Sequence, residues 1–341
     1  MITIKDVARV AGVSVGTVSK VFNGCLSVKP GTRERIFKAA AELDYAPNRS
    51  ARQLANGLAD TIGVVLCQFG QQNSRDEYLI GLLSGIYNEA EKSGLRVAMF
   101  TPVTVEKANQ NYVQFCRSNR LIGLIAHGYD STDVKLTHLA DSSVPSVFID
   151  MMTDEKGTMA VTVATDNIAA AAEVTDNLIR FGHRKIVFVS GREQAWVTQQ
   201  RLKGYMQRMQ SSYLTPVILQ ADFNTETSYE RTVDFLARHA DTEAFCCASD
   251  GIACGVLNAC IKLGFKVPED ISVVGFDNLT LSGVTLPPLS TVAQDFFGMG
   301  CVSVQTLIKL SRSEPVQNPI WIHHRCVHRG SVIKRSERHD E

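Results

Sequence analysis

The sequence has no stretch near the ~18 consecutive apolar residues that a membrane-spanning helix needs. Its first residues also lack the basic-then-apolar run of a secretory leader. A membrane-embedded or exported protein is therefore not expected, and a cytoplasmic one is. Net charge is missing as well: 35 Lys and Arg balance 35 Asp and Glu, which over the whole chain speaks against a nucleic-acid partner. No Walker loop, GxGxxG after a first strand, nucleophile elbow or HExxH occurs, so catalysis and cofactor binding have no residues to assign. Short repeats and low-complexity tracts are absent, and only residues 336–341 read as an unstructured tail. The nine cysteines are odd in number, and Cys67, Cys246, Cys247, Cys254 and Cys260 stand inside apolar runs. That pattern excludes a disulfide framework and fits reduced, buried thiols.

The 341 residues suffice for two or three domains. With 45% hydrophobic and 21% charged residues, they have a globular balance. Dividing the chain at residue 60 changes the meaning of its neutrality. The first 60 residues hold nine basic and five acidic side chains, net +4, and the rest carries −4. A basic head on an acidic body points to electrostatic docking at one end.

The hydrophobic period changes at the same place. Ile4, Val7, Ala8 and Ala11, then Val18, Val21 and Phe22, then Ile36, Ala39, Ala40 and Leu43 follow helical spacing. Thr3 with Asp6 resembles a capping box, Gly12 ends the first helix, and Ser14 caps a second over 15–22 that stops at Asn23-Gly24. Two eight-residue helices about a tight turn form the helix-turn-helix pattern. With Val18, Val21 and Phe22 inward, Val15, Gly16, Ser19 and Lys20 face outward, as a major-groove reading face does. Spacing alone equally describes a three-helix protein-interaction bundle. Beyond Tyr45-Ala46-Pro47-Asn48, a short helix over 49–55 is too brief to stand alone in water. Docked on a partner it would present Leu54 beside Arg49 and Arg52 as a minor-groove wedge; the plain alternative is a linker with a buried leucine.

After residue 60, β-branched runs at 62–66, 96–100, 121–126, 144–149, 185–189, 217–220, 244–248 and 271–276 alternate with helical stretches. The helices are expected at 77–92, 105–117, 167–180, 196–210, 228–239, 251–263 and 296–310. About eight βα units exceed one ordinary sheet, so two α/β lobes with buried parallel sheets are expected.

The head motifs Ile4-Lys5-Asp6-Val7-Ala8, Ala11-Gly12-Val13-Ser14, Thr17-Val18-Ser19-Lys20-Val21 and Tyr45-Ala46-Pro47-Asn48 resemble the lactose-repressor (LacI/GalR) family of bacterial transcription regulators. The resemblance continues through the body in Gly182-His183-Arg184-Lys185-Ile186, Arg201-Leu202-Lys203-Gly204-Tyr205, Ser249-Asp250, the run 267–277, Pro287-Pro288-Leu289-Ser290-Thr291-Val292 and Arg329-Gly330-Ser331. It implies an all-α helix-turn-helix head and an α/β two-lobed body like type I periplasmic sugar-binding proteins. The implied divisions are a head over 1–47, a hinge helix and linker over 48–60, and an effector-binding and dimerisation body over 61–341. Within the body, the first lobe takes about 61–160 and 291–320, and the second about 161–290 and 321–335.

The same resemblance implies that Ser14, Val15, Gly16, Thr17, Ser19, Lys20 and Asn23 face a double-stranded, palindromic operator. Arg49, Ala51, Arg52 and Leu54 of paired hinge helices would enter its minor groove. Val15, Gly16 and Lys20 are the implied specificity positions. Val15-Gly16 departs from the larger polar pairs of many members, so Val15 is left to touch a thymine methyl and Lys20 to reach guanine or phosphate.

In doubly wound sheets ligands sit outside the carboxyl ends of the strands, where Asp150, Asp250 and Asp277 each follow an apolar run. By resemblance Arg201, Asp250 and Asp277 are the main second-lobe contacts, with Ser249 where many members have Asn. Trp196 and Phe223 are candidate stacking walls or, equally, core. The first-lobe loop Phe69-Gly70-Gln71-Gln72-Asn73-Ser74-Arg75-Asp76 departs from the family's usual pattern. Gln71, Arg75 and Asp76 are expected along the cleft, facing His127 and Tyr129, and Arg75 with Arg201 would favour an anionic group. His324, Cys326 and His328 share one strand face, but no acidic or thiolate fourth ligand stands near them in sequence, so no metal is expected.

The expected protein is a ligand-responsive repressor acting as a dimer or dimer of dimers, cytoplasmic and nucleoid-associated when bound to DNA. Its effector is expected to be a sugar or sugar derivative. The alternatives are control by a partner protein or by a non-sugar metabolite such as a nucleobase, and, last, a sugar-processing enzyme.

Overall fold

The computed structural model describes residues 2–22, 25, 27–45, 59–67, 76–129, 134–152 and 159–335. It separates into two compact units, one up to residue 59 and one from residue 60 onward.

In the first unit, α1 (Ile4–Ala11), α2 (Val15–Phe22) and α3 (Pro30–Glu42) close on Val7, Ala8, Ala11, Val18, Val21, Ile36, Ala39 and Ala40. Local signals set the first two helices. The Thr3 N–H and hydroxyl both donate to Asp6 Oδ2, at 2.9 and 2.8 Å. Gly12 ends α1 at φ +66°, a left-handed conformation that a Cβ would strain. The Ser14 hydroxyl then accepts from the Thr17 N–H at 3.2 Å, a cap whose loss costs about 1 kcal/mol. Phe22 is half-buried, edge-on to Phe37 at 5.8 Å and tilted to Tyr45 at 5.9 Å.

The second unit holds two six-stranded sheets. The first is built from β1 (Thr61–Leu66), β2 (Arg96–Phe100), β3 (Leu121–His127), β4 (Ser146–Ile149), β5 (Ala160–Thr165) and β11 (Ile320–Ile322). Its order is β11-β5-β4-β3-β1-β2, with every pairing parallel. The second contains β6 (Ile186–Ser190), β7 (Val217–Gln220), β8 (Ala244–Cys247), β9 (Ser272–Asp277), β10 (Ser290–Gln294) and β12 (His324–Val327). Its order is β12-β10-β9-β8-β6-β7, parallel except for the antiparallel β10–β12 pair. Strand order reverses beside β1 in one sheet and beside β6 in the other, giving each lobe a switch point at its strand ends.

Helices cover both sheets: α4 (Asp76–Lys92), α5 (Pro102–Lys107), α6 (Tyr112–Ser118), α7 (Val134–Ala140), α8 (Asn167–Arg180), α9 (Trp196–Ser211), α10 (Thr225–Leu236), α11 (Asp250–Lys262), α12 (Thr280–Val284) and α13 (Phe296–Ser311). α4 and α13 approach closely through glycine: a Cβ on Gly85 would lie 2.1 Å from the Phe297 carbonyl oxygen, and one on Gly300 would lie 2.3 Å from that of Leu82.

Two expectations are corrected. The helix expected over 105–117 is two, because Asn111 opens a new one by accepting from the Gln114 N–H at 2.8 Å. The lobe boundaries also shift. β5 pairs along its length with β4, from Ser146↔Ala160 to Ile149↔Val163, so it belongs to the first lobe rather than opening the second at 161. β10 pairs with β9 and stays in the second, and β11 extends the first sheet to Ile322. The chain therefore passes between lobes at residues 166, 295 and 323.

Candidate functional site

The head presents a small outward face. Val15 is 40% exposed, Gly16 and Lys20 are exposed, and Ser19 and Thr17 are half-buried. Ser14 is exposed and occupied as a cap, bonded to Thr17 through both hydroxyls at 2.8 Å. A Cβ on Gly16 would meet nothing nearer than Ser14 Oγ at 3.8 Å, so the helix surface there is bare. Asn23, Arg49, Ala51, Arg52 and Leu54 lie outside the described residues, as does the hinge helix expected over 49–55.

The body holds a cavity lined from the first lobe by Tyr78, His127, Gly128, Tyr129 and Asp150. From the second lobe come Arg192, Ala195, Trp196, Val197, Arg201, Phe223, Asp277, Leu279 and Gln294. Four of its polar residues stand at carboxyl ends of strands: His127 ends β3, Asp150 follows β4, Asp277 ends β9 and Gln294 ends β10. Asp150 and Asp277 take φ of +56° and +117°, a strain of about 1–3 kcal/mol each that turns both carboxylates into the cleft. Phe223, also left-handed at +58°, packs its ring against Gly191, where a Cβ would stand 2.2 Å from it.

On the first-lobe wall, the Tyr78 hydroxyl donates to Asp150 Oδ2 at 2.9 Å and lies 3.3 Å from His127 Nδ1. The other oxygen, Asp150 Oδ1, is buried and has no hydrogen-bond partner among the described residues. The Tyr129 ring lines the cavity while its hydroxyl bonds that of Tyr112 at 2.5 Å.

On the second-lobe wall, Arg201 is 3% exposed. Its Nε donates to Asn167 Oδ1 at 2.7 Å and its Nη1 to the Ala248 carbonyl. The guanidinium lies 3.7 Å over the Phe276 ring and 3.8 Å from Asp277 Oδ1. Burial pulls its pKa down, while the Asp277 and Asp150 carboxylates oppose that pull. Gln294 donates to Asp277 Oδ1 at 2.7 Å and accepts from the Thr165 hydroxyl at 2.7 Å.

Asp250 does not reach the cavity. It is fully buried, accepting from the Leu279 N–H at 2.8 Å and the Thr291 hydroxyl at 2.6 Å. Gly275 makes the room, since a Cβ there would lie 2.2 Å from Asp250 Oδ1. Burial, then the charge of Asp277, push its pKa up to about 8. Asp250 thus supports the cavity floor from beneath, and its neighbour Ser249 caps α11 by accepting from the Ile252 N–H.

Of the first-lobe loop, Gln71 and Arg75 lie outside the described residues, and Asp76 is the first residue of α4. His127, Tyr129, Asp150, Trp196, Arg201, Phe223 and Asp277 share the cavity wall. Sequence reasoning missed Tyr78, Arg192 and Gln294. The last two carried the same signal as the aspartates, a polar residue just past an apolar strand. At β12, His324 Nε2 lies 3.1 Å from Glu173 Oε2 of α8, an acidic neighbour invisible in the linear spacing. Among the described residues no His, Cys, Asp or Glu group is arranged to hold a metal.

Residues 3–48 match the model of bacterial regulatory proteins of the lacI family, and residues 175–332 match a periplasmic binding protein-like domain. The HTH-type transcriptional repressor PurR of Vibrio campbellii is 30% identical over 86% of this chain and 87% of its own length. A Lac repressor dimer bound to operator and the anti-inducer ONPF superposes with a TM-score of 0.86 at 28% identity, covering 97% of this chain and 99% of that one. The transcriptional regulator CelR in its cellobiose complex superposes at 0.72 with 26% identity, covering 97% and 100%. These relatives are regulators of transcription, which leaves the enzyme reading without support. With its helix-turn-helix head and two-lobed body, the chain belongs to the lacI family of bacterial regulatory proteins and is a DNA-binding transcriptional regulator.

Proposed function

We propose that the protein is a repressor whose operator affinity is set by a sugar or sugar derivative in the interlobe cavity. The observation that carries the ligand class is Asp150 Oδ1, a buried acceptor with no partner among the described residues. A buried acceptor calls for a donor, and a sugar hydroxyl supplies one. Asp277 and Gln294 add acceptors and donors on the facing wall, while Trp196 and Phe223 give flat apolar surface for a pyranose face. The cellobiose complex of a related regulator supports the same class.

The DNA-binding role rests on Val15, Gly16 and Lys20 in the exposed part of α2. The protein acts as a dimer, placing two such faces on a palindromic site. In support, α4 exposes Ile80 and Tyr87 at a spacing of two helical turns, and Val284 and Leu286 are exposed at α12 and just beyond it.

Thermal-shift measurements with mono- and disaccharides, sugar phosphates and nucleobases test the ligand class, because a compound that binds only the native state raises its melting temperature. A sugar is expected to raise it in the parent and not in Asp150→Asn or Asp277→Ala. A shift by nucleobases alone would replace the sugar reading.

A further inference from the structure

Glu77 and Thr280 belong to different lobes, on α4 and α12. The Thr280 N–H lies 2.8 Å from Glu77 Oε2 and 3.0 Å from Oε1, and its hydroxyl donates to Oε1 at 2.7 Å. Both residues are exposed and neither lines the cavity. Each is joined in sequence to one that does: Tyr78, which holds Asp150, and Leu279, whose N–H is held by Asp250. The two lobes are thus fastened beside the cavity by a carboxylate that is not part of its lining.

We propose that Glu77 is a positioning residue, a latch whose bonds to Thr280 hold the two lobes together around the cavity. The latch biases the lobe equilibrium directly, so it sets how much of the protein is ready to enclose a ligand before any ligand arrives. An exposed carboxylate suits this role, because bonds made in water are weak enough to open and still favour one arrangement. Sugars of different shape would all feel the latch equally, since it is not part of the cavity lining.

The proposal rests on the reading of the body as a two-lobed gate, and its test uses neither effector nor DNA, so failure of one leaves the other standing. Trp196 lines the cavity and is one of two tryptophans in the chain. In full-length protein carrying Trp321→Phe, acrylamide quenching of Trp196 reports how often the lobes part. Losing the carboxylate should move the closed-to-open ratio roughly threefold to fivefold toward open, the size of a charged interaction between exposed partners. Quenching should therefore rise in Glu77→Ala and rise less in Glu77→Gln, which keeps an acceptor. Thr280→Ala should also raise it, and the double variant should add nothing to Glu77→Ala. A cooperative melting curve separates opening from misfolding, and if Glu77→Ala does not fold, Glu77→Gln carries the comparison. Quenching equal to the parent's in the folded Glu77 variants, or effects of Glu77→Ala and Thr280→Ala that simply add, would overturn the proposal.

Discussion

Gln294 donates to Asp277 Oδ1 at 2.7 Å while accepting from the Thr165 hydroxyl at the same distance. One side chain thereby joins the cavity wall to two of the three passages between the lobes. Its backbone adds the third, because Gln294 pairs with His324 where β12 begins. Arg201 makes a parallel connection through Asn167, just past the first passage. A ligand that shifts Asp277 or Arg201 therefore pulls on the hinge itself, without a longer path through the core.

Gln294→Leu keeps the volume and removes both bonds. It should leave operator affinity within about threefold of the parent and reduce the effector's influence on that affinity by roughly tenfold. Operator titrations with and without the sugar identified by thermal shift give both numbers. An undiminished effector response would show that the hinge does not depend on this side chain.

Arg201→Ala takes the donor from Asn167 Oδ1 and from the buried Ala248 carbonyl and removes the charge beside Asp277, and loss of one partner of a buried pair costs about 3–5 kcal/mol. Urea unfolding of the full chain should show a loss of that size. Arg201→Lys should recover little, because the planar fork serves Asn167, Ala248 and the Phe276 ring together. Stability within about 1 kcal/mol of the parent in Arg201→Lys would mean that charge alone suffices there.

Asp250 predicts a pH dependence. Its folded pKa of about 8 lies above the ordinary 3.8, so the native state holds its proton more tightly than the unfolded chain. Its contribution to stability is full below about pH 4 and is lost as pH rises through about 8. Asp250→Asn mimics the protonated form: its carbonyl can accept from Leu279 and its amide can donate to Thr291. Denaturant midpoints across that range should fall with rising pH more steeply in the parent than in the variant; parallel curves would contradict the assignment.

In the head, Gly16→Ala fills open space on α2. It should stabilise the helix by about 0.5–1 kcal/mol, seen as slower amide exchange at Val18 and Val21. Lys20→Ala should weaken operator binding and, where Lys20 meets a phosphate, reduce the salt slope by about one. A salt slope and affinity both unchanged in Lys20→Ala would remove Lys20 from the interface.

What the sequence made legible was mostly local. Thr3, Gly12 and Ser14 announced the first two helices because caps act on their own neighbours, and β2 and β7 stand at their expected bounds. The break at Asn111 was also written locally, as an Asn followed three residues later by Gln, but the apolar period ran across it. Lobe membership was not local: β5 joins the first sheet only because β4 is there to pair with it. The same distinction separates Asp277 from Asp250. Both follow apolar strands, yet Asp250 turns inward because Gly275, on the neighbouring strand β9, leaves space for it. Tyr78 went unread because its role depends on Asp150, distant in sequence.

Operator affinity measured with and without the bound sugar, in the parent and in Asp277→Ala, tests the central claim most directly. Duplexes selected by the protein from a random pool supply the operator, and the thermal-shift screen supplies the sugar. The parent should change its operator affinity at least about fivefold when the sugar is added. Asp277→Ala should bind the operator as the parent does and ignore the sugar. A parent whose operator affinity is unmoved by every compound that stabilises its body would contradict the account.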